Sequence, residues 1–308
     1  MEPEIIGIIL GVLQGLFEWL PVSSSGQLVL FLTNFLEISY IDAETLALFA
    51  HIGTALVVLV YYRNDYYNMA KSFFEWVFIY KGKYYWAKET GMPQDLRLSL
   101  LILITTIATV PTALLSMIIF EGIFESVDKE LPIQSSEIIT FMIGFFLIIT
   151  GLILSLKKKV SNLYNESTSF HQMKFHNALF LGILQGFSAI PGVSRSAITV
   201  TYLLMGSKLD QNESLRGSFL VSFPVTAGSG FLMVLRGKVI FLSEGVANSE
   251  GLIIMSYLGA FLMFLAAFIV GAITLKTFLD VAKKVPFDKF MIFFGFIAIT
   301  AVLFGFLL

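Results

Sequence analysis

The sequence predicts an all-α polytopic membrane protein built as an inverted repeat, each half one re-entrant helix hairpin plus three spanning helices. Three observations predict it: the composition, the lengths of the apolar stretches, and one polar motif that occurs twice. Hydrophobic residues make up 56% of the 308 and charged residues only 14%, with a mean hydropathy of +0.83. Too little polar surface remains to coat a soluble globule. Twenty basic against 22 acidic side chains leave no concentrated basic face, so no nucleic-acid partner is expected. Cysteine is absent, which rules out disulfides and thiolate metal sites. The N-terminus, Met-Glu-Pro-Glu, lacks a positive n-region, and no cleavable signal peptide is expected.

The duplicated motif runs Leu10-Gly-Val-Leu-Gln-Gly-Leu-Phe-Glu-Trp-Leu-Pro-Val-Ser-Ser-Ser-Gly26 and again Leu181-Gly-Ile-Leu-Gln-Gly-Phe-Ser-Ala-Ile-Pro-Gly-Val-Ser-Arg-Ser-Ala197. At a constant offset of 171 the copies match at Gly11/Gly182, Gln14/Gln185, Gly15/Gly186, Val22/Val193, Ser23/Ser194 and Ser25/Ser196. They differ in charge, Glu18 in the first and Arg195 in the second.

A bilayer core about 30 Å thick needs roughly 20 apolar residues in helix. Six stretches qualify, near 45–62, 98–120, 137–156, 216–235, 252–275 and 288–308. Four others, near 5–20, 27–37, 176–190 and 197–206, are too short or too broken, and each pair meets at a Pro/Gly/Ser-rich turn. These are four re-entrant helices, with a first hairpin over 5–37 and a second over 176–206, because irregular backbone at membrane depth is tolerated only where it lines a cavity or is buried in protein. The first repeat is 1–156, including a basic, aromatic insertion at 63–97 that reads as an interfacial amphipathic helix. A linker at 157–175 and the second repeat at 176–308 follow. Lys and Arg concentrate in 63–97, 157–175 and 276–289, which are expected to be cytoplasmic, whereas 38–44, 121–136 and 236–250 are expected outside. That parity requires hairpins of opposite orientation whose turns meet near the midplane.

Glu18 and Arg195 are the two charged side chains within the mapped core, and an unpaired charge there costs several kcal/mol. The Gly-Val-Ser-Arg-Ser turn of Ser194, Arg195 and Ser196, with Thr199 beyond it, opens a helix at about Ala197, so backbone N–H groups, the positive dipole end and an Arg fork converge on an oxyanion site. Gln14 and Glu18, four residues apart, share a helix face directed at Ser23, Ser24 and Ser25. Carboxylate and amide oxygens suit a hard cation, Mg²⁺ or Ca²⁺, and a metal beside an Arg clamp is recurring equipment for phosphoryl transfer. A single carboxylate equally suits a general base for a serine.

Gln-x-x-x-Glu before Leu-Pro-Val-Ser-Ser-Ser-Gly, together with Pro-Gly-Val-Ser-Arg-Ser-Ala-x-Thr, resembles the undecaprenyl-diphosphate phosphatases of the BacA/UppP family, the bacitracin-resistance proteins. The resemblance covers the whole chain, including Phe219 to Ala227 and Ile273 to Leu279. It implies hydrolysis of a polyprenyl diphosphate to the monophosphate at the outer face of the cell membrane with a divalent cation, recycling the lipid carrier of envelope glycan synthesis. Gln14 and Glu18 then stand as metal ligands, Glu18, Ser24 and Arg195 as catalytic residues, and Ser23, Ser25, Ser194, Arg195, Ser196 and Thr199 as phosphate contacts. Two positions depart: the family usually has His where Gln27 stands and Gly where Ala197 stands. Ser24 becomes the nucleophile candidate, with metal-activated water the rival. His51, on the second layer of the first repeat, and Gln27 are the candidates for acid/base or supporting roles in place of the missing His. The rival function is a polyprenyl-phosphate flippase or other carrier, since inverted repeats with broken helices are carrier architecture. The lipid substrate and membrane lipids are the expected partners, and small residues at Gly144, Gly151, Gly259 and Gly271 suit either internal or homodimer packing.

Overall fold

The computed structural model describes residues 2–20, 23–79, 81, 91–130, 135–160, 169–235, 239–242, 253–281 and 287–305. Several expectations fall outside them: Pro21 and Val22 of the first turn, Lys83 to Lys88 of the basic insertion, residues 161–168 of the linker, Arg236 and Lys238, and Lys283 and Lys284. The described chain is helical, as expected. In order come α1 (Pro3–Phe17), α2 (Ser24–Phe35), α3 (Tyr40–Tyr61), α4 (Arg63–Phe74), α5 (Gln94–Glu130), α6 (Ser135–Val160), α7 (Phe175–Gly186), α8 (Arg195–Met205), α9 (Gln211–Leu235), α10 (Tyr257–Val281) and α11 (Phe287–Gly305). One addition interrupts the helices, a parallel ribbon in which Val239–Leu242 pairs with Ile253–Ser256.

Three helices among the described residues are long and apolar enough to cross a membrane: Tyr40–Tyr61, Gln94–Phe124 and Tyr257–Leu279. On α5 the side chains of Ile107, Val110, Leu115, Ile118 and Ile119 are exposed, a surface that only a lipid solvent makes inexpensive. The shorter apolar segment Glu137–Ile153 lies within α6, and α9 carries Glu213, Arg216 and an internal Pro224. By contrast α1, α2, α7 and α8 have 15, 12, 12 and 11 residues; at 1.5 Å per residue none covers a core of about 30 Å.

Three boundaries differ from the sequence expectation. The helix expected over 98–120 continues as α5 through Glu130, into the segment 121–136 that is expected outside; after Pro111 no proline occurs before Pro132, and acidic side chains do not break a helix. The stretch expected from 252 begins as a strand and turns helical at Tyr257. Both hairpin helices start earlier than expected, at Ser24 and Arg195, because Ser23 and Ser194 cap them through Gly26 N and Ala197 N, each at 3.3 Å. Ser24, Ser25, Arg195 and Ser196 therefore occupy first helical turns.

Glycines set the helix spacing. A Cβ at Gly7 or Gly11 would strike the carbonyl oxygens of Gly259 or Met263 on α10, and one at Gly182 or Gly186 would strike Thr105 or Thr112 on α5. Close approach permits interhelical hydrogen bonds from threonine hydroxyls to main-chain oxygens: Thr274 to Gly15 at 2.6 Å, Thr105 to Ala178 at 3.2 Å and Thr109 to Gly182 at 3.2 Å. Gly144 and Gly151 face α11, Gly259 receives Gly7, and Gly271 faces Thr54 and Trp19. All four small residues serve packing within the chain.

Gly11→Leu should force α1 from α10 and destabilise the detergent-solubilised protein by at least the ~1–3 kcal/mol of overpacking. Gly122→Ala, at a position with nothing within 4 Å, should leave the thermal midpoint unchanged or raise it. Thermal unfolding of both variants checks the pair.

Candidate active site

The two polar turns are in contact. Ser23 holds φ at 58°, the left-handed region, and Gly192 holds φ at 91°, an arrangement that is strained for serine and free for glycine. The Ser23 hydroxyl accepts from Gly26 N at 3.3 Å within its own turn and from Gly192 N at 3.2 Å across to the other. A Cβ at Gly26 would lie 2.9 Å from Gly192 N, so a side chain there would part the turns. Ser196 Oγ adds a bond to Leu20 O at 3.4 Å.

On this clasp sits the Glu18 carboxylate, 5% exposed, one residue beyond α1 and still bonded through its N–H to Gln14 O. Its Oε1 accepts from Arg195 Nη2. Its Oε2 accepts from Gln14 Nε2 at 2.7 Å and from Ser24 Oγ at 2.8 Å, with His51 Nε2 at 3.3 Å. His51 Nε2 also lies 3.3 Å from Ser24 Oγ, and its Nδ1 lies 2.6 Å from Ala47 O. A carbonyl oxygen can only accept, so Nδ1 carries a proton and Nε2 is the nitrogen turned toward Ser24 and Glu18, where it can accept a proton. A serine hydroxyl, a carboxylate and an imidazole thus form one hydrogen-bonded cluster, with a guanidinium beside it whose Nη1 is buried without a partner.

The cluster opens on a cavity of about 390 Å³. Of the sequence-predicted residues, Glu18, Ser23, Ser24, Ser25, Ser194, Arg195, Ser196 and His51 line it. Three do not. Gln14 touches Glu18 from behind. Gln27 lies a turn along α2, bonded through its N–H to Ser23 O. Thr199 is fully buried, bonding Arg195 O at 2.9 Å and Ser218 Oγ at 2.6 Å; it joins α8 to α9, and the expectation that it meets phosphate is corrected by that geometry. The cavity also takes residues that the sequence reading missed: Glu44, Thr106, Thr109, Gln185, Ser188, Thr226 and Ser229. Gln185 had a visible signal, its match to Gln14. Glu44 had one as well, standing seven residues, or two turns, before His51.

The expected cation between Gln14 and Glu18 does not fit the donor set. The Thr54 hydroxyl spends its proton on His51 O at 3.1 Å, so toward Gln14, 3.2 Å away, it can only accept. Both contacts of Gln14 are therefore N–H groups, and its Oε1 is left buried without a partner. An amide N–H does not ligate a hard cation, and both Glu18 oxygens already accept hydrogen bonds. Among the described residues no group of three or more His, Asp or Glu side chains is placed to hold a metal.

Short paired helices that bring an ion pair and serine-rich turns to an internal cavity define a helical membrane protein with a polar catalytic-type site. Residues 7–300 match the family of the bacitracin resistance protein BacA, and the chain belongs to that family. It is 33% identical over 295 residues to the undecaprenyl-diphosphatase of Methanococcoides burtonii, covering 96% of this chain and 97% of the relative. It is 32% identical over 296 residues to the undecaprenyl-diphosphatase of Halothermothrix orenii, covering 96% of both.

Ser23→Ala removes an acceptor shared by two turns while keeping the left-handed strain, and should cost about 1–2 kcal/mol. Ser23→Gly loses the same bonds but relieves the strain, and should recover part of that loss. Denaturation midpoints of the two variants decide the order.

Proposed function

We infer that this chain is an undecaprenyl-diphosphatase, hydrolysing a polyprenyl diphosphate to the monophosphate and inorganic phosphate. The observation that carries the reading is the Ser24 hydroxyl, 2.8 Å from the Glu18 carboxylate, facing a cavity into which Arg195 also opens. Family membership supplies the substrate class. The residues act in sequence. The terminal phosphate takes the Arg195 guanidinium, whose Nη1 has hydrogen-bonding capacity to spare, while the apolar walls of Leu48, Val110, Leu114, Met117, Leu232 and Met233 receive the first isoprene units. Ser24 Oγ attacks the terminal phosphorus as its proton passes to Glu18 or His51 Nε2. The bond from that phosphorus to the bridging oxygen breaks, and the polyprenyl monophosphate leaves with the electron pair and takes up that proton, which frees the base. Water, deprotonated by the same pair, then attacks the phosphoserine, releasing phosphate and returning the proton to Ser24 Oγ. Arg195 holds the charge that grows on the equatorial oxygens. No step is assigned to a metal at Gln14 and Glu18.

We propose further that the chain is an inverted repeat of halves 1–156 and 176–308 around the 157–175 linker. Equal spacing of the motif supports this, as do the paired short helices and reciprocal packing, in which α1 lies on α10 as α7 lies on α5, while α3 meets α9 and α6 meets α11. The Lys/Arg distribution supports cytoplasmic basic segments, a cell-membrane location and a site opening outward, where spent lipid carrier would be returned to use. The rival carrier function draws on the same architecture and has no need of the Ser24 hydroxyl.

Phosphate release from a C55 polyprenyl diphosphate by purified protein tests the reading. Wild type should turn over. Ser24→Ala and Arg195→Ala should each lose at least a thousandfold, and His51→Asn should lose about 10²–10⁴, the span of general acid–base catalysis. A Ser24→Ala variant that retains turnover would replace serine by water as nucleophile, and a folded wild type that releases no phosphate would leave the carrier reading.

A further inference from the structure

The cavity reaches the outer surface of the helix bundle along α5. Leu103, Ile107, Val110, Leu114 and Ile118 recur every three or four residues and so form one stripe along that helix, and all five are exposed. Leu103, Ile107 and Ile118 belong to the outside alone. Val110 and Leu114, 53% and 38% exposed, stand in the same stripe and also line the cavity that Ser24 and Arg195 line.

The facing edge comes from α9. Gly228 and Phe231, three residues apart on one side of that helix, are both exposed, and Gly228 lines the cavity as well. A Cβ at Gly228 would meet nothing within 4 Å, whereas one at Gly7, Gly11, Gly182 or Gly186 would strike a neighbouring helix. Glycine inside a helix is destabilising relative to alanine, and at Gly228 no helix contact offsets that cost. The bare position opens space instead.

The edges of this opening are apolar: Val110, Leu114 and Met117 on α5, Gly228 and Leu232 on α9. The charged side chains among the described lining residues are Glu18, Glu44 and Arg195, and none of them comes from α5 or α9. A hydrocarbon chain can therefore pass from lipid to the cavity without desolvating a charge. It also has to extend outside. At about 390 Å³ the cavity lies near the lower end of the roughly 300–1,000 Å³ typical of small-ligand pockets, room for a diphosphate with its first isoprene units and not for a C55 chain.

We propose that the polyprenyl tail leaves the cavity sideways between α5 and α9, and that the absent side chain at Gly228 provides the clearance it needs. The proposal rests on the phosphatase reading and adds to it the route of the tail and the residue that limits what can pass.

The test compares phosphate release by the purified full-length protein from C55, farnesyl (C15) and dimethylallyl (C5) diphosphates. Gly228→Leu and Gly228→Phe should raise KM for the C55 and C15 substrates at least tenfold, while kcat/KM for the C5 substrate, whose short tail stays inside, should change by less than about threefold. Both side chains enter open space, so the thermal midpoint should not fall. Gly122→Phe, exposed but away from the cavity, should leave all three substrates unaffected. A second readout needs no turnover. The chain has no cysteine, so Gly228→Cys carries the only thiol, and its labelling by N-ethylmaleimide should slow at least fivefold with farnesyl methylenediphosphonate, which is not hydrolysed, and not with methylenediphosphonate, the head group alone. Protection of that thiol in a protein whose wild type releases no phosphate would sink the phosphatase reading and leave the route standing. Equal losses on the C5 and C55 substrates, an unchanged KM for the C55 substrate in Gly228→Phe, or protection by the head group alone would overturn the proposal.

Discussion

The architecture depends on the burial of one carboxylate. Glu18 is 5% exposed, and an ionised group at such a position is tolerable only when its oxygens are saturated by donors. Those donors come from three separate elements, Gln14 on α1, Ser24 on α2 and Arg195 on α8, with His51 Nε2 of α3 beside them at 3.3 Å. Compensating one charge thus ties the two helices of the first hairpin to the start of α8. Breaking a buried pair by removing one partner typically costs 3–5 kcal/mol, which makes the site part of the scaffold as well as its chemistry. It also means that Glu18 and Arg195 neutralise one another, so that any anion reaching Arg195 has to compete with Glu18.

Backbone strain and packing hold that carboxylate in place. Ser23 stays in the left-handed region because its hydroxyl accepts amide bonds from both turns, and the turns approach because Gly26 has no side chain. Behind them the glycines of α1 and α7 allow threonine hydroxyls to reach main-chain oxygens of neighbouring helices.

The sequence by itself determined the class, the motif pair and most of the polar residues that line one wall of the cavity. The composition called for lipid, the offset of 171 marked the paired turns, and charged residues in an apolar background singled out Glu18 and Arg195. Ser23, Ser24, Ser25, Ser194 and Ser196 were legible because serine clusters beside glycine and proline have few other uses at membrane depth. Helix starts were misplaced by two or three residues because a serine cap is a three-dimensional bond to an amide three positions on. The stretch expected over 98–120 was ended about ten residues early because charge reports exposure, not helix termination. Only the tertiary structure decided how hydrogen-bond donors and acceptors are shared. Thr199 belongs to the α8–α9 contact and not to the cavity, Gln14 turns N–H groups rather than oxygen toward Glu18, and Gln185 gives its N–H to Thr109 while its oxygen stays buried. An amide offers both a donor and an acceptor, and which one it presents is set by the committed protons of Thr54 and Thr109 on helices distant in the chain.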